Sequence, residues 1–160
     1  WQFSQKPWDG FWTVVSFDIP EKLKGRRGSL RLKLQSLGMA RLQESLYLTP
    51  FDFGQDLQEF ISAHDLSDFV DVFEARHIFG SDPKELAWRV WQLEKLEESY
   101  HELLSSLNLN SNSKKLMILE ERAKHQVQFE EILLDDPLLP KELLPHDWVG
   151  FKARKLILGW

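Results

Sequence analysis

The spacing of apolar positions divides the chain into two differently patterned halves. Residues 11–17, Phe-Trp-Thr-Val-Val-Ser-Phe, are β-branched and aromatic, the composition of a strand. Residues 21–37 carry Leu23, Leu30, Leu34 and Leu37 on one helical face, and Gly38 supplies the stop. Residues 39–43 and 45–49 are two short strand candidates, the second closed by Pro50. Residues 55–63 read as a short amphipathic helix with Leu57, Phe60 and Ile61 inward. The last strand region, 68–79, contains Phe69, Val70, Val72 and Phe73. The order β-α-β-β-α-β predicts an α+β, ferredoxin-like domain over residues 1–80, with both helices on one face of its sheet.

The second half is helical. Ser81-Asp82-Pro83-Lys84-Glu85 has the composition of a helix start, with Pro in the first turn. Leu86, Val90, Leu93, Leu96, Tyr100, Leu103 and Leu107 then keep helical spacing, which predicts one helix over 82–107. Trp88 and Trp91 fall on another face, so this helix is expected to be covered on two sides. A polar break at 108–113, a second long helix over 114–134, a Pro-rich crossing at 135–145 and a short helix over 148–160 complete a mainly helical domain, residues 81–160. The boundary is expected near Gly80, with no flexible linker.

Composition narrows the function classes. Seven Trp and eleven Phe give ample material for a core, and no stretch approaches the roughly 20 apolar residues that span a bilayer. The first six residues have no apolar run of the signal-peptide kind, and a start at Trp1 rather than Met suggests an excised fragment. The absence of cysteine removes disulfide and thiolate chemistry and suits a cytoplasmic protein. The net charge of −5, shared by both halves, opposes nucleic-acid binding by the chain as a whole.

Few residues carry candidate chemistry. Asp18 ends the first strand, just before Pro20. It can be a Mg²⁺ ligand, two copies sharing an ion across a dimer axis. It can equally accept hydrogen bonds from backbone N–H groups in the turn that follows, and this structural role is the expected one. Lys22, Lys24, Arg26, Arg27, Arg31 and Lys33 flank the leucine stripe of the first helix. They either form a solvated edge to the core or meet phosphates, from an acyl-CoA or a DNA backbone. The five histidines have no ligand spacing, no phosphate-binding glycine pattern exists, and no nucleophilic triad surrounds Ser45. No cofactor is expected. Trp88 and Trp91 are among the aromatics able to stack on a planar ligand.

Three segments together resemble the PaaX family of bacterial phenylacetic-acid degradation repressors. The first runs from Trp8-Asp9-Gly10-Phe11-Trp12 through Phe17-Asp18-Ile19-Pro20-Glu21, Arg26-Arg27 and Leu37-Gly38 to Arg41-Leu42-Gln43-Glu44-Ser45-Leu46-Tyr47-Leu48-Thr49-Pro50. The second is Ala87-Trp88-Arg89-Val90-Trp91-Gln92-Leu93 with Leu96 and Tyr100. The third, the most specific, runs from Asp136-Pro137 to Asp147-Trp148-Val149-Gly150, with Ala153-Arg154 after it. The resemblance implies a central ferredoxin-like domain and a helical C-terminal domain, without the family's N-terminal winged helix. The central domain is similar in turn to the small CRISPR-associated nuclease of spacer acquisition, which has an Asp at the position of Asp18 and dimerises through its sheet edge.

What the resemblance implies is the dimerising, effector-sensing part of a regulator, not an enzyme, with DNA read by the missing domain. The sheet edges and the Trp88–Trp91 helix are expected to supply the dimer surface. An aryl-acyl-CoA is the implied effector, with Arg26, Arg27 and Arg31 as candidate partners for its phosphates and Trp88 and Trp91 for its rings. The alternative is a metal-dependent nuclease using paired Asp18.

Overall fold

A computed structural model of the protein describes residues 7–78, 80, 82–109 and 117–158. Four strands, β1 (Trp12–Phe17), β2 (Ala40–Gln43), β3 (Leu46–Thr49) and β4 (Val70–Ala75), form one antiparallel sheet in the order β2-β3-β1-β4. Helices α1 (Lys24–Ser36) and α2 (Gly54–Ala63) connect β1 to β2 and β3 to β4. This is the α+β, ferredoxin-like arrangement that the apolar pattern predicts.

Alternation along β1 explains how the sheet serves two layers. Val15 and Phe17 join Leu30 and Leu34 of α1 and Leu57 and Ile61 of α2 in one core. Trp12 and Val14 point the other way, into a core built with the helical half. The helical half therefore covers the sheet face that α1 and α2 leave open, and the molecule is three layers deep.

The stop of α1 is chemically specific. Gly38 has φ +69, and its N–H bonds Gln35 O at 2.9 Å while Met39 N bonds Leu34 O at 3.1 Å. These are the paired bonds of a Schellman end, with the accompanying apolar contact supplied by buried Met39 and Leu34. The helix itself is preceded by a 3-10 turn at Glu21–Leu23, so the single helix expected from residue 21 starts tighter than an α-helix.

The helical half contains α3 (Pro83–Val90), α4 (Leu93–Leu109), α5 (Met117–Asp135) and α6 (Val149–Leu158). Asp82 caps α3, its carboxylate accepting from Lys84 N at 2.9 Å and Glu85 N at 3.3 Å. The single helix expected over 82–107 is two. Gln92 adopts φ +51 and breaks the chain between α3 and α4. The break lets Leu86 and Ala87 on one side and Leu93 and Leu96 on the other enter the same core. The Pro-rich crossing contains a 3-10 turn at Lys141–Leu143. The expected polar break at 108–113 and the start of the second long helix fall largely outside the described residues, as do Ser81, Phe79 and the last two residues. No described helix is long and apolar enough to cross a membrane.

Candidate functional site

The third resemblance segment builds an internal polar joint. Asp136, at the end of α5, is almost fully buried. Its Oδ2 accepts from the Tyr100 hydroxyl of α4 and from Arg154 Nη2 of α6, each at 2.6 Å, and its Oδ1 accepts from Leu138 N at 2.8 Å. Three helices thus meet on one carboxylate. A buried charge is tolerable because it is paired and its lone pairs are used. Burial first, and the Asp136 carboxylate second, hold the Tyr100 hydroxyl protonated well above the ordinary phenol range. Further along the segment, the Trp148-Val149-Gly150 spacing has its own cause. A Cβ at Gly150 would lie 2.5 Å from Trp148 Nε1 and 3.0 Å from Tyr100 Cε2. This segment therefore packs the helical half together.

The arginines of α1 are occupied. Arg26 pairs with Asp65 at 3.3 Å, Arg27 with Glu21 at 2.7 Å and Arg31 with Glu44 at 3.6 Å. Lys33 pairs with Asp56 at 2.9 Å. Arg31 also lies 5.9 Å over the Phe17 ring. Each guanidinium faces a carboxylate along the α1 edge, while Arg31 Nε is buried without a hydrogen-bond partner among the described residues. Trp88 and Trp91 belong to the core on the opposite sheet face, so the fold does not bring the two sets together.

Both tryptophans are used inside the chain. Trp88 meets Trp148 edge-on at 6.4 Å. Trp91 stacks on Trp12 at 6.2 Å and donates its Nε1–H to Gly38 O at 3.0 Å. Trp91 is thus a joint between the sheet and the helical half, rather than the free dimer surface expected of this helix.

Asp18 is exposed at the end of β1. Its backbone N–H bonds Phe69 O at 2.9 Å, but neither the 3-10 turn nor α1 has a side-chain cap. The expected turn-capping role of its carboxylate is therefore not realised. Because β4 lies beside β1, Asp68 and Asp71 line the same cleft of about 440 Å³ as Asp18. No group of three metal-ligating side chains occurs among the described residues, these three aspartates included.

Two openings are lined from both halves, one of them by Trp12 and Arg76 with Pro83 and Leu86. A cleft of about 730 Å³ runs along the β2 edge, lined by Gln35, Arg41, Gln43 and Tyr47 from the sheet half and Arg89 and Trp91 from α3 and its end. Among the described residues neither the Arg41 nor the Arg89 guanidinium has an ion pair or hydrogen bond. Both arginines stand inside the resemblance segments, but the sequence offers no reason to prefer them to the α1 run. The acids that pair with Arg26 and Arg31, Asp65 and Glu44, approach through the fold, while Glu21 is local to Arg27.

Comparison with known proteins finds two adjacent matches along the chain. Residues 5–87 match the PaaX protein central Cas2-like domain, and residues 91–159 match the PaaX-like protein C-terminal domain. The transcriptional repressor PaaX of Escherichia coli (strain K12) is 29% identical over 170 residues, which cover 97% of this chain and 52% of that protein. The chain thus spans about half the length of this curated relative. An uncharacterized protein of Mycobacterium tuberculosis shares the fold with a TM-score of 0.69 at 24% identity, over 96% of this chain and 60% of its own.

Proposed function

The chain belongs to the PaaX family, and from that premise we propose that it is the dimerising and effector-sensing portion of a transcriptional regulator. DNA reading would come from a winged helix outside these residues, and a cytoplasmic location goes with that role. The sheet-bearing part, 1–80, and the helical part, 81–160, act as the two bodies whose placement an effector biases. The observation that carries the reading is the cleft at the β2 edge, because a ligand held there touches both bodies. A ligand shifts such an equilibrium only by its differential affinity for the two placements, and contact with both supplies it. The family resemblance names an aryl-acyl-CoA as the effector class. The α1 arginines are demoted within this proposal by their carboxylate partners, while Trp91 keeps a place as a cleft wall.

Thermal unfolding against a panel of acyl-CoA thioesters tests the sensing role. Stabilisation of about 2–3 kcal/mol is expected with ligand at roughly a hundred times its dissociation constant. No stabilisation by any thioester would leave a protein-interaction module as the better description.

A second reading has one specific observation in its favour: the Asp18 carboxylate has no partner among the described residues and shares a cleft with Asp68 and Asp71. A metal-dependent nuclease pairing two copies of Asp18 would cleave DNA or RNA with Mg²⁺ or Mn²⁺ and lose that activity in Asp18→Asn. Cleavage unchanged in that variant eliminates this site.

A further inference from the structure

We propose that Gln92 is a one-residue hinge through which two copies of this chain exchange halves. In the exchanged form α3 and α4 run on as one helix, and the sheet-bearing body of each copy packs on α4, α5 and α6 of the other. Exchange goes beyond the dimerising role, because the contacts it uses already exist within one chain.

The joint between α3 and α4 is not written locally as a break. No Gly or Pro occurs from Lys84 to Leu109, and Leu86, Val90, Leu93, Leu96 and Tyr100 keep helical spacing straight through it. Only Trp91 and Gln92 separate the two helices. Trp91 stays near helical geometry, at φ −93 and ψ 3, and its N–H bonds Ala87 O at 3.1 Å. The turn therefore rests on Gln92, whose φ of +51 is a conformation that residues with a Cβ adopt reluctantly. Gln92 is exposed, so the core does not wedge its side chain into this shape. Lys95 Nζ bonds Gln92 Oε1 at 2.8 Å, a contact between residues three apart that a straight helix also allows. Continuing α3 into α4 relieves Gln92. It also gives the first N–H groups of α4 the carbonyls that a helix start lacks.

The hinge separates two bodies with their own internal contacts. Among the described residues, the core of the sheet with α1 and α2 lies wholly before Gln92. The Asp136 joint with Tyr100 and Arg154 lies wholly after it. Trp91 belongs to the first body, since its bond to Gly38 O and its stack on Trp12 hold the end of α3 on the sheet. What crosses the hinge is one interface, where Trp12, Val14 and Leu86 share a core with Tyr100, Leu143 and Trp148. Trp88 meets Trp148 edge-on at 6.4 Å across it, and Trp8 N–H bonds Glu142 Oε2 at 3.3 Å.

Straightening the hinge carries the first body away from its own α4, α5 and α6. A single chain therefore has either the relaxed hinge or the closed interface. A second copy restores the interface with both hinges relaxed, which is the thermodynamic basis of domain swapping. The remaining cost is the freedom lost on association, and protein concentration offsets it. With the whole turn made at one strained residue, the balance is set at Gln92.

The test refolds the whole chain from urea at low and at high protein concentration and separates the products by size exclusion with light scattering. The chain has no cysteine, so Lys84→Cys and Ser105→Cys provide two unique spin-label sites, both exposed, on α3 and α4. Doubly labelled chain is diluted into unlabelled parent, so that double electron–electron resonance reads distances within one chain. A continuous helix sets these positions about 32 Å apart, and the bent joint brings them closer. The short distance is expected in the monomer, and the long one in a dimer that forms on concentrated refolding and survives dilution. Gln92→Gly accepts the left-handed turn and disfavours the helix, so it should lower dimer formation about tenfold or more, while Gln92→Ala should raise it severalfold. A dimer that keeps the short distance and ignores both substitutions overturns the exchange and leaves surface dimerisation standing. No dimer from the parent or from Gln92→Ala at any concentration overturns it as well. If the chain as prepared is monomeric and the long-distance dimer appears only after concentrated refolding, the exchange stands and the dimerising role fails.

Discussion

The Trp91 indole N–H donates to the Gly38 carbonyl at 3.0 Å, joining the end of α3 to the turn between α1 and β2. The same ring stacks on Trp12 at 6.2 Å. One side chain therefore fixes the helical half to the sheet at the rim of the β2-edge cleft. Trp91→Phe keeps an apolar ring and removes the donor. It should cost about 0.5–1.5 kcal/mol in denaturant unfolding. Because Trp91 lines the cleft, the same variant should also alter coenzyme A binding by calorimetry. An unchanged unfolding midpoint would show that this bond contributes nothing to the joint.

The Asp136–Arg154 pair should show strong coupling. Asp136→Ala strands a guanidinium whose side chain is only 15% exposed, at a cost of about 3–5 kcal/mol. Adding Arg154→Met removes the stranded charge. The double variant should then be more stable than the sum of the two single losses requires, by urea unfolding. Simple additivity would mean that the 2.6 Å contact is energetically silent.

Tyr100 gives a pH dependence of defined sign. Its hydroxyl is pushed up from an unfolded value near 10, mainly by burial and then by Asp136. Above about pH 10 the unfolded chain loses this proton and the folded chain keeps it. The unfolded state then binds fewer protons, so stability falls as pH rises. Tyr100→Phe should cost about 1–3 kcal/mol at neutral pH, because the buried carboxylate loses a donor. The gap to the parent should narrow above pH 10, since only the parent has this proton to lose. A constant gap from pH 8 to 11 would exclude the linkage.

How much of this was legible beforehand depended on distance along the chain. The leucine stripe of α1, the Gly38 stop and the Asp82 cap are local signals, and the fold uses them as they read. The break at Gln92 was hidden, because Val90, Leu93 and Leu96 keep helical spacing on both sides of it. The break lets the 8-residue α3 and the 17-residue α4 both enter the core shared with the sheet. The pairing of Arg26 and Lys33 is hidden in the sequence because Asp65 is 39 residues from Arg26 and Asp56 is 23 from Lys33, whereas Glu21 lies 6 from Arg27. The acids near Asp18 were hidden for the same reason, since β4 must pair with β1 before Asp71 stands opposite Ser16.

Two glycines should respond to alanine with opposite signs. Gly28 lies exposed within α1, and a Cβ there meets nothing within 4 Å. Gly28→Ala should stabilise by about 0.5–1 kcal/mol, through lower backbone entropy in the unfolded chain. Gly150→Ala forces a methyl onto Trp148 and Tyr100 and should cost about 1–3 kcal/mol. Thermal melts of the two variants decide both signs.

The outer side of β4 is where self-association is expected. The sheet order leaves β2 and β4 at the edges, and the β2 edge is flanked by Trp91 and Arg89. On β4, Phe73 is 46% exposed, and Phe11, just before β1, is 37% exposed with Arg76 5.5 Å from its ring centroid. An open edge with apolar side chains favours strand addition by a second copy. Phe73→Glu removes that surface without touching either core, so the fold should survive while the dimer dissociates. Asp71 and Glu74 also lie on this strand. Antiparallel pairing of two copies brings like charges close, so salt should strengthen the association. Size exclusion with light scattering at micromolar concentration reads both effects. A parent chain that stays monomeric at low and high salt removes the dimer from the proposal. A dimer untouched by Phe73→Glu moves it to another surface.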